Sequence, residues 1–482
     1  MCFNFLSCII IGCSLNALIS QASPAINNQN KTGSFLIDTS KNHEKIIVNK
    51  IILSGNKITK ANIIYRELLF KEGDSLAFIN LHETLEQSRK NLLNTSLFNF
   101  VTIDTFSISK AKINILINVV ERWYVWPIPF FQLSDRNFNV WWKTKDLRRI
   151  DYGLFLTWDN FRGRKESLII QLRHGFNETY SLLYKIPYIN KNKTLGLGFI
   201  AGFTGNHSVA YENDENKQVF YKDEEHLVQK NIFGTFNITY RRNIFNTHTF
   251  QINYNRYDFS DTLLQLNSDF SKKNIVQYLT FYYLFRSDHR DDKSYPLNGY
   301  YFDVEAVKDG FGILSNENVD IAHIHTSVRK FWKLHKHWYL AGGLNAKIST
   351  TSFQPYFIEK GLGFGDDYAR AYEYYVVNGQ NYALLKSNLK YELISTKVIK
   401  LKFIPTQKFS LLHYSLYLNL LADGAYVNDR QTTGNNDLTN SFLYAFGLGI
   451  DFVTYYDKVM RIEYSINKMG QGGFFLHFVA PI

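Results

Sequence analysis

Four histidines, two acidic runs and one arginine-bearing loop are the residues of this 482-residue chain whose types and spacing could do chemistry. His323 and His325 share one strand face, and His335 and His337 sit on the connection that follows, so either pair could offer two imidazoles to a metal ion. No carboxylate stands at a helpful spacing beside them, and no metal site is expected. The Asp288 to Asp292 run and Asp366-Asp367 read as solvated loop residues. There is no His-Glu-x-x-His helix, no Gly-rich phosphate loop closed by Lys and no Gly-x-Ser-x-Gly elbow, so no enzyme and no cofactor is expected. The loop 350–381 contains Gly361-Leu362-Gly363-Phe364-Gly365 and then Tyr368-Ala369-Arg370-Ala371-Tyr372. A lone loop arginine is ordinarily solvated, and Gly-rich stretches are ordinarily just flexible.

The elements that must position these residues follow from composition and periodicity. Apolar residues make up 45% and aromatic residues 16% of the chain, a balance that favours strands because aromatic rings suit a pleated surface. Mean hydropathy is −0.22. Beyond the N-terminus no run of about 18 apolar residues is free of charge, which excludes a helical membrane protein but not a barrel of alternating strands. Residues 1–22 read as a secretory signal peptide cleaved after Ala22. Ile10-Ile11-Gly12-Cys13 offers lipoprotein processing at Cys13 as the alternative. All three cysteines, Cys2, Cys8 and Cys13, lie in this segment. Its removal excludes disulfides, thiolate metal sites and cysteine nucleophiles together. Residues 23–44, rich in Asn, Ser, Lys and Thr, read as a flexible lead-in. The net charge of +11 is spread along the chain without a basic run, so no nucleic-acid partner is expected.

Residues 45–122 have the pattern of a compact α/β unit. Ile46, Val48 and Ile51-Ile52-Leu53 make a strand closed by Ser54-Gly55-Asn56, residues that tolerate a left-handed turn. Thr59 caps a helix through Ile63, Ile64, Leu68 and Leu69, ended by Gly73-Asp74. Leu81, Leu85, Leu92 and Leu93 stripe a second helix, and Phe100 to Phe106 and Ile113 to Val120 are strands. In order and spacing, Ile52-Leu53-Ser54-Gly55-Asn56, Thr59, Arg66-Glu67-Leu68, Gly73-Asp74, Leu97-Phe98-Asn99-Phe100-Val101 and Asn118-Val119-Val120-Glu121 resemble a polypeptide-transport-associated (POTRA) domain. Such domains precede the barrels of outer-membrane assembly factors and related translocation pores. The exposed edge of the small sheet is the part expected to act, by taking up an extended client as an added strand.

Four of the seven tryptophans, Trp123, Trp126, Trp141 and Trp142, fall in 123–149, a stretch read as a Trp-rich junction at a membrane interface. From 150 to 482 the period is two, with one apolar face and one polar or small face. Sixteen strands are expected: 150–158, 166–174, 178–186, 194–203, 217–223, 233–242, 247–257, 274–287, 299–308, 319–330, 337–349, 382–394, 411–423, 442–453, 457–467 and 473–479. So many consecutive strands exceed one sandwich core, and an even count suits a bacterial transmembrane barrel. Alternation is poorest at 217–223. With the small domain on the inner side, odd-to-even connections face outward, and the long connections 258–273, 350–381 and 424–441 then do so. Trp332 and Trp338 flank an inward turn as interface anchors. The long inward pieces 287–298 and 395–410 do not fit a minimal turn.

The barrel residues extend the resemblance to the outer-membrane protein assembly-factor (BamA/TamA-like) superfamily over about residues 45 to 482. Those barrels carry an Arg-Gly-aromatic tip on the outward loop between strands eleven and twelve, folded into the lumen with its Arg paired to an acidic strand residue. Arg370 and Tyr372 match the Arg and the aromatic, and Ala371 replaces the Gly, a costly change if the backbone there needs positive φ. Leu420-Leu421-Ala422-Asp423-Gly424 resembles the thirteenth-strand signature, making Asp423 the candidate partner of Arg370 beside Gly424. Pro296-Leu297-Asn298-Gly299-Tyr300 resembles the Pro-x-x-Gly turn of the periplasmic side. Phe478 is set back from the C-terminus and Pro481 cannot donate to a ladder, which puts the closing seam in question. The resemblance implies a mainly β protein of Gram-negative bacteria: a 16-stranded antiparallel outer-membrane barrel preceded by one POTRA-like periplasmic domain. It also implies insertion or translocation of unfolded outer-membrane or secreted client polypeptides, with the lipid bilayer and accessory lipoproteins as partners. A passive porin or uptake receptor is the alternative, and an outer-membrane hydrolase a more distant one.

Overall fold

The computed structural model describes residues 45–109, 111–133, 150–364, 367–400, 411–431, 435–454 and 458–477. The expectations resting on 1–22, 23–44, Trp141, Trp142, Asp366 and Phe478 to Ile482 lie outside these residues.

The first unit is β1 (Lys45–Ser54), α1 (Ala61–Tyr65), β2 (Ser75–Ala77), α2 (Phe78–Leu93), β3 (Phe98–Ser109) and β4 (Lys112–Glu121). Its sheet runs β2-β1-β4-β3, with β1 parallel to β4 and the other pairs antiparallel. Alternation on β4 turns Ile113, Ile115, Ile117 and Val119 onto Val48, Ile64, Leu92 and Phe98, closing one small core. Helix α1 is shorter than the apolar spacing predicts, with Leu68 buried just beyond it. Gly55 has φ 86, and a Cβ there would lie 1.9 Å from the Val119 carbonyl oxygen, so only glycine fits this turn.

The second unit comprises β5 (Val125–Leu133), β6 (Ile150–Phe161), β7 (Glu166–Gly175), β8 (Asn177–Ile186), β9 (Leu195–Asn206), β10 (Ser208–Asp214), β11 (Lys217–Lys222), β12 (Gln229–Tyr240), β13 (Asn246–Phe259), α3 (Asp261–Leu266), β14 (Ile275–Asp288), β15 (Gly299–Asp309), β16 (Ile321–Lys333), β17 (Trp338–Ser349), β18 (Asn381–Lys400), β19 (Leu411–Asn428), β20 (Phe442–Thr454), β21 (Lys458–Asn467) and β22 (Gly472–His477). Sixteen of these strands form one antiparallel sheet ordered from β5 to β22. The side-chain pattern is that of a membrane barrel turned inside out relative to a soluble protein. On β21, Ile462, Tyr464 and Ile466 are exposed while Arg461, Glu463, Ser465 and Asn467 are buried. On β20, Phe446 and Leu448 are 61% and 65% exposed. So large an apolar outer band matches hydrocarbon, and the polar face lines a lumen.

The expected count of sixteen stands, but two of its members are corrected. The segment 217–223 is a strand outside the barrel: β11 pairs only with β10, as a hairpin in the connection between β9 and β12. The missing barrel strand is β5, inside the stretch read as a junction, and it escaped notice because its apolar run is interrupted by Pro127 and Pro129, residues that argue against a strand. One omission and one false member cancel. The inward or outward sense of every connection from β12 onward is therefore as expected, while that of the connections joining β6 to β9 is reversed. The unexplained inward pieces also resolve. Strand β18 has 20 residues and β19 has 18, well beyond the 9–11 that span a bilayer, so 395–400 is strand; residues 401–410 lie outside the described set. Residues 289–298 form a turn that is part of the site.

Candidate functional site

The outer loop 350–380 descends into the lumen, where Leu362, Ala371, Tyr372 and Val377 join Leu384, Ala425, Val427 and Leu443 of the wall in one apolar cluster. At its tip Arg370 is 1% exposed. Its backbone N–H and Nε both donate to Asp423 Oδ2, each at 2.9 Å, and Nη2 donates to Oδ1. Nη1 donates to Asn388 Oδ1 at 2.5 Å and Nη2 to the Ser387 carbonyl at 3.0 Å. A guanidinium buried this deeply requires acceptors on every side. Tyr372 donates its hydroxyl to the Tyr444 carbonyl at 3.1 Å, and the Ala371 carbonyl accepts from Asn467 Nδ2 at 3.0 Å. Ala371 has φ 64, so the Gly-to-Ala departure falls on a left-handed residue. That conformation costs a non-glycine residue about 1–2 kcal/mol. The buried methyl returns about 0.8 kcal/mol and the stiffer unfolded chain about 0.4–1 kcal/mol, so Ala371 is carried at little net cost. Gly424 follows Asp423 on β19, against the Phe442 ring.

A second buried pair lies deeper in the lumen. Arg461 donates from Nε to Asp451 Oδ1 at 2.6 Å and from Nη2 to Oδ2 at 2.8 Å, both side chains being fully buried. The Tyr295 hydroxyl donates to Asp451 Oδ2 at 2.7 Å. Its ring lies 4.1 Å from the Lys390 ammonium and 4.8 Å from the Tyr417 ring. Tyr295 belongs to the turn 289–298, which carries Pro296 and is closed by Gly299, whose φ of 106 brings it against the His289 carbonyl. This turn is long because it inserts a side chain into the lumen. Sequence reasoning missed Tyr295, Asp451 and Arg461. The signal was the short β20–β21 hairpin, which makes Asp451 and Arg461 register partners on inward positions.

The small domain is docked on the inner turns of the barrel. Glu67 accepts from Arg241 Nη1 and Nη2 at 2.7 and 2.9 Å and from the Tyr188 hydroxyl at 3.0 Å. Lys60 N–H donates to the Gly163 carbonyl, Asn160 Nδ2 to Thr59 Oγ1, and Asn94 meets Asp291 and Lys293 in the 289–298 turn. Burial pushes the Glu67 carboxyl up, but Lys165 and Arg241 outweigh it and hold the group at about 2. A carboxyl lowered on folding stabilises the dock fully above its ordinary value near 4.5 and loses that contribution as pH falls toward 2. The shift corresponds to on the order of 3 kcal/mol. Spin-label distances between the small domain and the barrel are expected to be narrow at pH 7 and to broaden below pH about 4, and Glu67→Gln is expected to broaden them already at pH 7.

The sheet's two ends complete the site. Among the described residues β5 pairs only with β6, and β22 only with β21. The Asp159 amide donates to the Tyr124 carbonyl, so in this antiparallel register even-numbered positions of β5 face β6 and odd-numbered ones face the open edge. Pro127 and Pro129 are odd, so the middle of that edge has carbonyl acceptors and no donors.

The remaining expected residues are placed as follows. Trp332 and Trp338 are exposed beside the inward turn, Trp338 packing 4.9 Å from Tyr391. Trp123 is exposed, and Trp126 Nε1 donates to its carbonyl. Asn56 Nδ2 donates to the Thr59 carbonyl; Gly73 has φ 89 and bonds β1 through Val48, and Asp74 Oδ2 accepts from the Lys71 amide. The histidine pairs do not converge: His325 lies 3.8 Å from Asp367, and His337 bonds Glu392 at 3.1 Å. Asp288 pairs with Arg290 rather than with solvent alone.

Residues 46–122 match the POTRA family model, described as a surface antigen variable number repeat. No curated protein matches the chain in sequence. Among solved structures, CdiB from Escherichia coli is similar with a TM-score of 0.53 at 10% identity, over 91% of this chain and 74% of that one. CdiB from Acinetobacter baumannii gives 0.48 at 12% identity, over 89% and 73%. BamA from Haemophilus ducreyi lacking POTRA domains 1-3 gives 0.46 at 13%, over 90% and 83%. Residues 46–122 are a POTRA domain, and the chain joins it to a 16-stranded barrel with the fold seen in CdiB.

Proposed function

We propose that this chain resides in the outer membrane of a Gram-negative bacterium with its POTRA domain in the periplasm, and that it inserts barrel proteins into that membrane or passes polypeptide across it, without enzymatic chemistry. The observation that carries the reading is the pair of prolines on β5: at Pro127 and Pro129 the edge turned away from β6 has carbonyls and no donors. A barrel whose terminal strands lack a donor-complete ladder has a seam that opens at small cost, and its carbonyl row can accept an incoming strand. The POTRA edge strand β3, with Phe106 and Ile108 exposed, offers a second site of strand addition for an unfolded client before it reaches the membrane. A passive pore is disfavoured, because the loop around Arg370 and the turn around Tyr295 both occupy the lumen. Accessory lipoproteins are candidate partners at the periplasmic surface.

The test is depletion of the protein followed by a census of outer-membrane and secreted proteins. A general loss of barrels identifies an assembly factor, and loss of one secreted chain a dedicated translocator. An unchanged census overturns the proposal. In the same assay, Pro127→Val with Pro129→Val restores two edge donors and is expected to slow assembly or export.

A further inference from the structure

Sequence spacing gave no reason to expect a metal ion, because the lumen loop residue that meets the last two strands is far from them in the chain. Glu373 on the lumen loop, Glu463 on β21 and His477 on β22 bring one donor atom each within 4.8 Å of one another. His477 Nε2 is 3.6 Å from Glu373 Oε1 and 3.8 Å from Glu463 Oε1. Among the described residues, both carboxylate oxygens of Glu373, Oε2 of Glu463 and Nε2 of His477 are buried without a hydrogen-bond partner, Arg461 Nη1 standing 3.9 Å from that Glu463 oxygen. Glu463 is only 1% exposed. A buried carboxylate oxygen left without a donor is costly, and here several converge on one point.

We infer that Glu373, Glu463 and His477 form a binding site for a divalent transition-metal ion of the Zn2+ class. One imidazole and two carboxylates are a donor set that such ions take. Metal–ligand bonds of about 2.0–2.1 Å put tetrahedral donors about 3.4 Å apart, so the two imidazole–carboxylate separations of 3.6 and 3.8 Å need shifts of a few tenths of an ångström, and the two glutamates, within 4.8 Å of each other, close by rotation of the loop side chain. Tyr368 supplies the outer support: its hydroxyl lies 3.2 Å from His477 Nδ1, and its ring stacks on the imidazole at 5.8 Å. With the Nδ1 proton donated to that hydroxyl oxygen, Nε2 presents its lone pair to the two glutamates. A bound ion joins the lumen loop, one residue past Tyr372, to β22, the last described strand of the sheet. It acts as a clip between loop and seam. The site does not depend on the client-handling reading and is tested without it.

The full-length protein without an affinity tag, folded in detergent micelles and stripped with chelator, is titrated with Zn2+ by equilibrium dialysis. The wild type is expected to bind one equivalent, Tyr368→Phe to bind about 10-fold more weakly, and Glu373→Gln and His477→Ala to lose that equivalent. Glu373→Gln is nearly isosteric and sits on the loop, so heat-modifiable gel migration is expected to report a folded barrel. Hydrogen exchange of β22 amides is expected to slow with Zn2+ in the wild type and not in Glu373→Gln or His477→Ala. No stoichiometric binding by the wild type, as a protonated His477 clasping both glutamates would give, overturns the site. So does an equivalent that survives in both Glu373→Gln and His477→Ala, since the ion is then held elsewhere.

Discussion

Asp423→Ala is expected to destabilise the folded barrel by about 3–5 kcal/mol, and Arg370→Ala by less. Removing Asp423 strips Arg370 of its partner for Nε, for Nη2 and for its own amide, leaving a buried guanidinium with Asn388 and the Ser387 carbonyl alone. Removing Arg370 leaves a carboxylate opposite Lys386, its register partner across the β18–β19 ladder, whose ammonium now rests 4.2 Å from the Tyr368 ring. That cation is near enough to take up part of the charge. The order of the two losses, read from urea unfolding in micelles, separates this account from a mere loss of packing, which favours the larger side chain as the costlier deletion. Exchanging the two charges, Arg370→Asp with Asp423→Arg, is expected to recover more stability and more assembly activity than either reversal alone. Recovery stays partial because the Ser387 carbonyl then faces a carboxylate. No recovery overturns the pairing as the role of Arg370.

The second large effect is expected at Arg461. Arg461→Ala leaves Asp451 buried with the Tyr295 hydroxyl and with Lys390 two strands away along the wall, and a loss of about 3–5 kcal/mol follows. Tyr295→Phe removes one hydrogen bond to a charged group and is expected to cost about 1.5–3 kcal/mol. Arg461→Met with Asp451→Leu removes both charges together. Because the desolvation of two ions disappears with them, the double variant is expected to regain most of the stability that Arg461→Ala loses. Denaturant midpoints of the three variants check this. If the double variant is no better than Arg461→Ala, the loss lies in packing rather than in the stranded carboxylate.

How far the sequence reaches is clear from particular residues. Period-two alternation disclosed β6 to β9 and the strands from β12 onward because one face of each meets lipid and the other the lumen. It failed at β5, where aromatic and proline residues serve an interface and an edge, and it took β11 into the barrel because a projecting hairpin alternates like a wall strand. Arg370 and Asp423 were legible only through the family resemblance, since nothing local distinguishes a lumen arginine from a solvated one. Glu67 and Arg241 lay beyond reach because their pairing depends on how one unit docks on the other, which no local period encodes. The Glu373, Glu463 and His477 cluster was hidden for a related reason: a loop dipping into a lumen brings together residues from opposite ends of a long stretch of chain.

The two prolines of β5 also bear on how many copies can share a patch of membrane. Strand edges that stay open are liable to zip onto the same edge of a neighbouring molecule, and in a crowded bilayer such side-by-side pairing leads to aggregation. Edge-to-edge pairing of two β5 strands needs donors from both partners, and Pro127 and Pro129 withhold them at successive bonding positions of each. A strand from another protein, with its own amides intact, still finds the carbonyls. In the proposed role, the edge would therefore discriminate against copies of itself while remaining receptive to a client strand.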